Sequence, residues 1–184
     1  MAAAIELQTH PAPVRDDAGP IEVLRRWQHG LRINHMAQYQ AAAHCAQLGR
    51  GLGLAVVALT TVVGTTLFAT LSQSPSNAVK IGAGMLSVAA ALCSALQTFL
   101  AYPQRQADHH AVGGRYGALR REIETLLAAP PGEPQLAAAL QDIRTRWDEI
   151  DRSAPAVPPK IFGAAREAVL GSDGVRVRDG RGER

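Results

Sequence analysis

The sequence predicts an all-α membrane protein: a two-transmembrane helical hairpin whose helices extend into a cytoplasmic coiled-coil-like bundle. Three observations carry that class. The apolar residues are gathered in one block, with no charged residue from Gly51 to Val79 and, after Lys80, none from Ile81 to Gln104. On both sides of the block, apolar residues recur every three or four positions, the period of one helix face. The strict alternation of a half-buried strand is absent.

Composition agrees once it is read locally. The chain is 47% hydrophobic yet its mean hydropathy is near zero, so the average hides a partition between an uncharged centre and flanks rich in Arg, Asp, Glu and His. A net charge of +3 is too mild to indicate nucleic acid, and none is expected as a partner. The two cysteines, Cys45 and Cys93, read as unpaired thiols, and no CxxC metal motif is present.

Taken in order, residues 1–19 read as a disordered leader, because they lack the basic and apolar regions of a signal peptide. Gly19-Pro20 suits a helix start. A cytoplasmic helix follows over 20–50, with a stripe of Leu24, Trp27, Leu31, Asn34 and Gln38 that turns polar toward its end. Residues 51–71 form the first span and 81–102 the second. At a rise of about 1.5 Å per residue, Ile81 to Tyr102 reaches about 33 Å, enough for a hydrocarbon core of roughly 30 Å. The intervening 72–80, "SQSPSNAVK", is rich in turn formers and reads as an external loop.

A second cytoplasmic helix over 104–128 carries Val112, Tyr116, Leu119, Ile123 and Leu126. "APPGEP" breaks it. A third, over 135–152, carries Leu136, Leu140, Ile143, Trp147 and Ile150 and stops at "SAPAVPP". The expected bundle core is therefore Trp27, Leu31, Tyr116, Leu119 and Trp147. A short helix over 160–170 presents Ile161, Phe162, Ala165 and Val169, and 171–184 reads as a disordered tail.

Arginine orients the hairpin. Arg32 and Arg50 precede the first span, Arg105, Arg115, Arg120 and Arg121 follow the second, and Lys80 alone lies between. By the positive-inside rule both termini are cytoplasmic.

On a wheel of 100° per residue, Ala83, Gly84, Ser87, Ala91, Ser94 and Thr98 share a small, weakly polar face of the second span, with Gln97 at its edge. Ile81, Met85, Leu92, Leu96 and Phe99 point to lipid. In the first span Ala58, Thr61, Gly64 and Thr65 lie opposite Leu52, Val56, Leu59, Val63 and Leu67. Two readings of Thr61, Gly64, Thr65, Ser87, Ala91, Ser94, Gln97 and Thr98 stand: helix packing, with hydroxyls bonding across, or the lining of a water path. The small face has no large partner within the chain, so a homo-oligomer is expected, its cytoplasmic stripes meeting around Trp27, Leu31, Tyr116 and Trp147.

Gly49, Gly51, Gly53 and Pro103 are candidate hinge positions where helices enter and leave the membrane, although for the glycines close helix packing is the simpler reading. His109 and His110, with His29, His35 and His44, lack the spacing of a metal site and read as polar surface or interhelical hydrogen bonds. The arginines of the two "LRR" runs read by default as ion pairs with "DEID" at 148–151, the alternative being an anionic ligand or lipid headgroup. No nucleophile, base and orienter set occurs, so no enzymatic activity and no cofactor are expected.

Several stretches carry a family resemblance over Ile21 to Pro159. They are "LRRWQHGLRINHMAQYQAAAHC", "VVGTTLFATL", "SALQTFLAY", "RYGALRREIETLL" and "IRTRWDEIDRSAPAVPP", of which the "ALQTFL" exit and the "RWDEID" close are the most specific. In that order they resemble the SLATT family, two-transmembrane effectors associated with SMODS and SLOG domains. The resemblance implies a pore-forming effector of bacterial anti-phage or conflict systems. Such an effector sits in the inner membrane and is triggered by a sensor protein or a cyclic nucleotide, and the infected cell dies before phage is released. The chain carries no SLOG or nucleotidyltransferase sequence, so the resemblance implies a trigger from another chain or one that binds the cytoplasmic bundle directly. The alternative function is a membrane-anchored scaffold whose cytoplasmic helices recruit a partner.

Overall fold

The computed structural model describes residues 19–70 and 76–179. The expected leader up to residue 18, loop positions 72–75 and the last five residues of the expected tail lie outside the described residues. Among the described residues there are five helices and no strand: α1 Pro20–Thr70, α2 Asn77–Leu100, α3 Tyr102–Ala128, α4 Glu133–Ser153 and α5 Pro159–Asp179. Two of the helical stretches are long and apolar enough to cross a membrane. The chain divides into two compact units, one formed by residues up to Ala42 with those from Ala107 onward, the other by Ala43–Gln106.

The first unit is a bundle whose core is made by the expected stripes. Leu24, Trp27, Leu31, Val112, Tyr116, Leu119, Ile123, Leu136, Ile143, Trp147 and Ile150 form one buried cluster, with Leu126 and Leu140 packed against it. Trp27 and Trp147 meet edge to face, centroids 6.1 Å apart and planes at 86°, a geometry that sets a positive ring edge on a negative face. Because Trp27, Leu31, Tyr116 and Trp147 are all at least nine-tenths buried within this one chain, they cannot be where cytoplasmic stripes of separate copies meet. That expectation is corrected: one chain supplies both sides of the contact.

Local chemistry explains where these helices start and stop. The amides of Glu22 and Val23 reach the Gly19 carbonyl at 3.0 and 3.2 Å, and Pro20 occupies a first-turn site where its missing N–H costs nothing. α4 starts at Gly132 with Glu133 and Pro134 in its first turn and ends with Arg152 in its last, both charges favourable to the helix dipole. Ala154 then turns extended, as the residue before Pro155 must to avoid the ring.

α5 runs to Asp179, so residues 171–179 are helical and not a loose tail. Val169 is fully buried. Past it, Ser172 donates to the Val169 carbonyl and accepts a hydrogen bond of 2.9 Å from Arg32, an anchor that the charged, glycine-rich text does not advertise.

In the second unit, Asn77 to Lys80 form the first turn of α2 behind an extended Ser76, with the amides of Val79 and Lys80 on the Ser76 carbonyl. Lys80 is therefore a helix residue and not part of the external loop. The exit of α2 is also sharper than the sequence suggested. Ala101 adopts a left-handed conformation, φ 45° and ψ 42°, and Arg105 restarts the ladder on the Ala101 carbonyl at 3.1 Å. Pro103, expected as a kink, lies in the first turn of α3. In an unbroken helix its ring would strike the carbonyl of Phe99, four residues back. The break moves to Ala101 to avoid that clash. Gly49, Gly51 and Gly53 lie inside the unbroken α1.

Candidate functional site

The hairpin segments of α1 and α2 do not pack on the face expected. The less exposed positions of α2 are Ala83, Leu86, Ala90, Cys93, Gln97 and Leu100, with Ala89 beside them. Those of α1 are Leu52, Val56, Leu59, Val63 and Thr66, flanked by Gly53, Ala55 and Gly64. Both sets repeat every three or four residues, the spacing of a helix seam. Leu52, Val56, Leu59 and Val63, expected against lipid, are thus in the seam. Thr61, Thr65, Ser87, Ala91, Ser94 and Thr98 remain exposed.

The hydroxyls explain why the weakly polar face is not forced inward. Thr61 donates to the Val57 carbonyl at 2.7 Å and Thr65 to Thr61 at 3.0 Å. Ser87 donates to Ala83 at 2.9 Å and Thr98 to Ser94 at 3.2 Å. Each is satisfied by its own helix one turn back, so none requires a partner across the hairpin. Within one chain, these four hydroxyls bond along their own helices and not between α1 and α2. Branched aliphatic side chains in the seam gain dispersion contact that hydroxyls do not.

A groove of about 420 Å³ brings together four of the expected site residues, Gly64, Ser87, Ala91 and Ser94, beside Val56, Thr60, Val63 and Ala90. A second groove, about 290 Å³, joins Ser87 to Thr66, Ala83 and Lys80. Thr61, Thr65, Gln97 and Thr98 line neither groove. Gln97 is half-buried, and its Nε2 lies 3.5 Å from where a Cβ on Gly53 would be. Tyr102 sits 3.2 Å from the corresponding point on Gly49, whereas nothing approaches Gly51. Two of the three candidate hinge glycines therefore admit a neighbouring side chain at close range.

The bundle holds a polar cluster that the stripes only hinted at. Tyr116 donates to Asp151 at 2.6 Å, and Trp147 Nε1 donates to the same carboxylate oxygen at 3.2 Å. Burial first, then the hydrogen bond to Asp151, holds the Tyr116 phenol well above its ordinary pKa. Gln38, 4% exposed, meets His109 Nδ1 at 2.6 Å through Oε1 and donates from Nε2 to the Pro155 carbonyl at 3.2 Å. Burial pushes the His109 pKa down, opposed in part by Asp108. His35 Nδ1 lies 2.9 Å from the Gly113 carbonyl, and Tyr39 meets the His35 ring at a tilt of 52° and the His110 ring edge to face at 65°. Of the two readings open for the histidines, His35 and His109 take the interhelical hydrogen bond.

Gly113 and Gly117 lie on no apolar stripe, yet both are closely packed. A Cβ on Gly113 would fall 2.7 Å from the Tyr39 ring, and one on Gly117 2.9 Å from His35 Nδ1. Two glycines one turn apart on a helix face were the available signal. The arginines also differ from expectation. Arg26 and Arg120 pair with Glu22 and Glu124 on their own helices, while Arg146 bridges Glu122 and Asp142. An i,i+4 partner needs no long-range closure, which favours it over the more distant 148–151 run.

Together these features define an all-α protein with a packed polar-centred bundle and an apolar hairpin of membrane-crossing length. Comparison with protein-family models, with curated proteins and with solved structures finds no match.

Proposed function

We propose that the chain is a membrane effector of a bacterial anti-phage or conflict system. Its hairpin inserts in the inner membrane with both termini cytoplasmic, and copies assemble to form a gated pore or to disrupt the bilayer when a sensor protein or nucleotide signal engages the bundle. The resemblance to SLATT proteins supports this reading.

The observation that carries it is the exposure of the hairpin's apolar and weakly polar surfaces together. Phe68 and Phe99 are 78% and 82% exposed, as suits side chains that face lipid. The small, weakly polar face of Ser87, Ala91 and Ser94 is left uncovered by the hairpin's own seam. That face supplies a contact for a second copy and, where copies part, groups that can hydrogen-bond water.

Induced expression in cells loaded with a membrane-potential dye, alone and beside neighbouring genes, tests the proposal. Depolarisation under some trigger is expected. Intact potential under every trigger, with the protein inserted, favours the scaffold reading, in which the bundle recruits a partner and the spans only anchor it.

A further inference from the structure

We infer that the bundle carries a binding site for a small neutral lactam or primary carboxamide, walled by Asn34, Gln38, Tyr116, Asp151, Pro155 and Phe162. These residues line a cavity of about 150 Å³ closed on one side by the α4–α5 connection. The inference does not depend on what the hairpin does.

The polar groups around the cavity are accounted for with one exception. Tyr116 is bonded to Asp151, and the Gln38 amide is used at both ends, by His109 and by the Pro155 carbonyl. Asn34 is 8% exposed, lines the cavity, and makes no side-chain hydrogen bond among the described residues. Neither amide atom of Asn34 is among the fully buried polar atoms without a partner, so both stay open to whatever fills the cavity. The amide presents a donor and an acceptor side by side at the cavity wall.

The group that matches such an edge offers an acceptor and a donor in the same plane, as a cis-amide or a carboxamide does. An ammonium ion leaves Nδ2 without an acceptor. A carboxylate or phosphate leaves Oδ1 without a donor and faces the Asp151 charge across the same cavity. Size narrows the class further, since a cavity of about 150 Å³ takes a benzene-sized molecule of about six heavy atoms. Ala37 and the Pro155 and Phe162 side chains supply apolar walls for the rest of the ring.

The test uses the purified full-length protein in detergent and two six-heavy-atom probes, 2-pyrrolidone and cyclopentanone, which differ in having an N–H or a CH2 beside the carbonyl. Ligand-detected NMR titration is expected to show saturable binding of the lactam and binding of the ketone weaker by at least about tenfold, because a site built to hydrogen-bond rejects the analogue that lacks the donor. Asn34→Leu should abolish that preference. Ala156→Trp, at an exposed position of the cavity wall, keeps Asn34 and blocks the cavity, so it should abolish saturable binding of both probes. It carries the test if Asn34→Leu fails to fold. Equal affinity for the two probes, no saturation by either, or a lactam preference undiminished in Asn34→Leu or in a folded Ala156→Trp overturns the assignment.

Discussion

Tyr116, contributed by α3, donates its hydroxyl to the carboxylate of Asp151 on α4 across 2.6 Å, and Trp147 reaches the same oxygen from one turn earlier on α4. The bond is to a charged acceptor beside the buried core, where such bonds are worth roughly 1.5–3 kcal/mol. Tyr116→Phe is therefore expected to destabilise the bundle by about that amount, read as a lower denaturation midpoint with an unchanged slope. A double-mutant cycle with Asp151→Asn isolates the pair, and a coupling near zero would show that the two groups act independently.

Gly113 and Gly114 are neighbours with opposite surroundings. A Cβ at 113 collides with the Tyr39 ring at 2.7 and 2.8 Å, while nothing lies within 4 Å of one at 114. Gly113→Ala should cost about 1–3 kcal/mol through overpacking, despite the better helix propensity of alanine. Gly114→Ala should stabilise by up to about 1 kcal/mol. Thermal unfolding of the two variants side by side checks this, and equal shifts of the same sign would contradict it.

His109 gives the bundle a pH dependence of fixed sign. Burial lowers its folded pKa below the ordinary value of 6.5, so as pH falls the unfolded chain takes up the proton first. This residue's contribution to stability is at its full value above the ordinary pKa. It declines as pH falls from 6.5 toward the lowered folded value. The difference in stability between wild type and His109→Gln, measured by denaturant titration from pH 7.5 to about 5, should shrink across that window. A difference that does not vary with pH would rule out a depressed His109.

Ala101 holds a left-handed backbone that costs an L-residue about 1–2 kcal/mol. Glycine relieves that cost but adds chain entropy to the unfolded state, so Ala101→Gly should leave a net gain of about 0.5–1 kcal/mol. Unfolding in detergent measures it. A loss of stability would mean that the α2–α3 junction does not retain this conformation in solution.

If the proposed function holds, substitutions at Ala91 and Gln97 separate assembly from conduction. Ala91 is exposed on the groove face, and Gln97 is half-buried in the hairpin seam beside Gly53. Ala91→Leu should shift the crosslinked oligomer distribution by filling the small face. Gln97→Leu should leave oligomer yield intact and, if Gln97 meets water in an open state, reduce ion efflux from liposomes. Full efflux from normally assembled Gln97→Leu removes it from any conduction path. An unchanged oligomer distribution in Ala91→Leu counts against assembly through this face.

Residue spacing alone specified every helix up to Leu170 and most of the bundle core. Leu24, Trp27, Leu31, Tyr116, Leu119, Ile143 and Trp147 all lie on stripes legible from spacing, because a 3.6-residue period records which side of a helix is apolar. The uncharged block likewise announced two helices of membrane-crossing length. The period does not say which stripe meets which, or at what distance. Those pairings come from the packing of the folded chain, which sets Tyr39 on Gly113, Tyr116 on Asp151 and Trp27 on Trp147. In the hairpin, wheel geometry found the weakly polar face but set Leu52, Val56, Leu59 and Val63 against lipid; they form the seam instead. The serines and threonines of that face satisfy themselves on the preceding turn, so the seam went to the branched aliphatic residues of α1, which had more dispersion contact to gain.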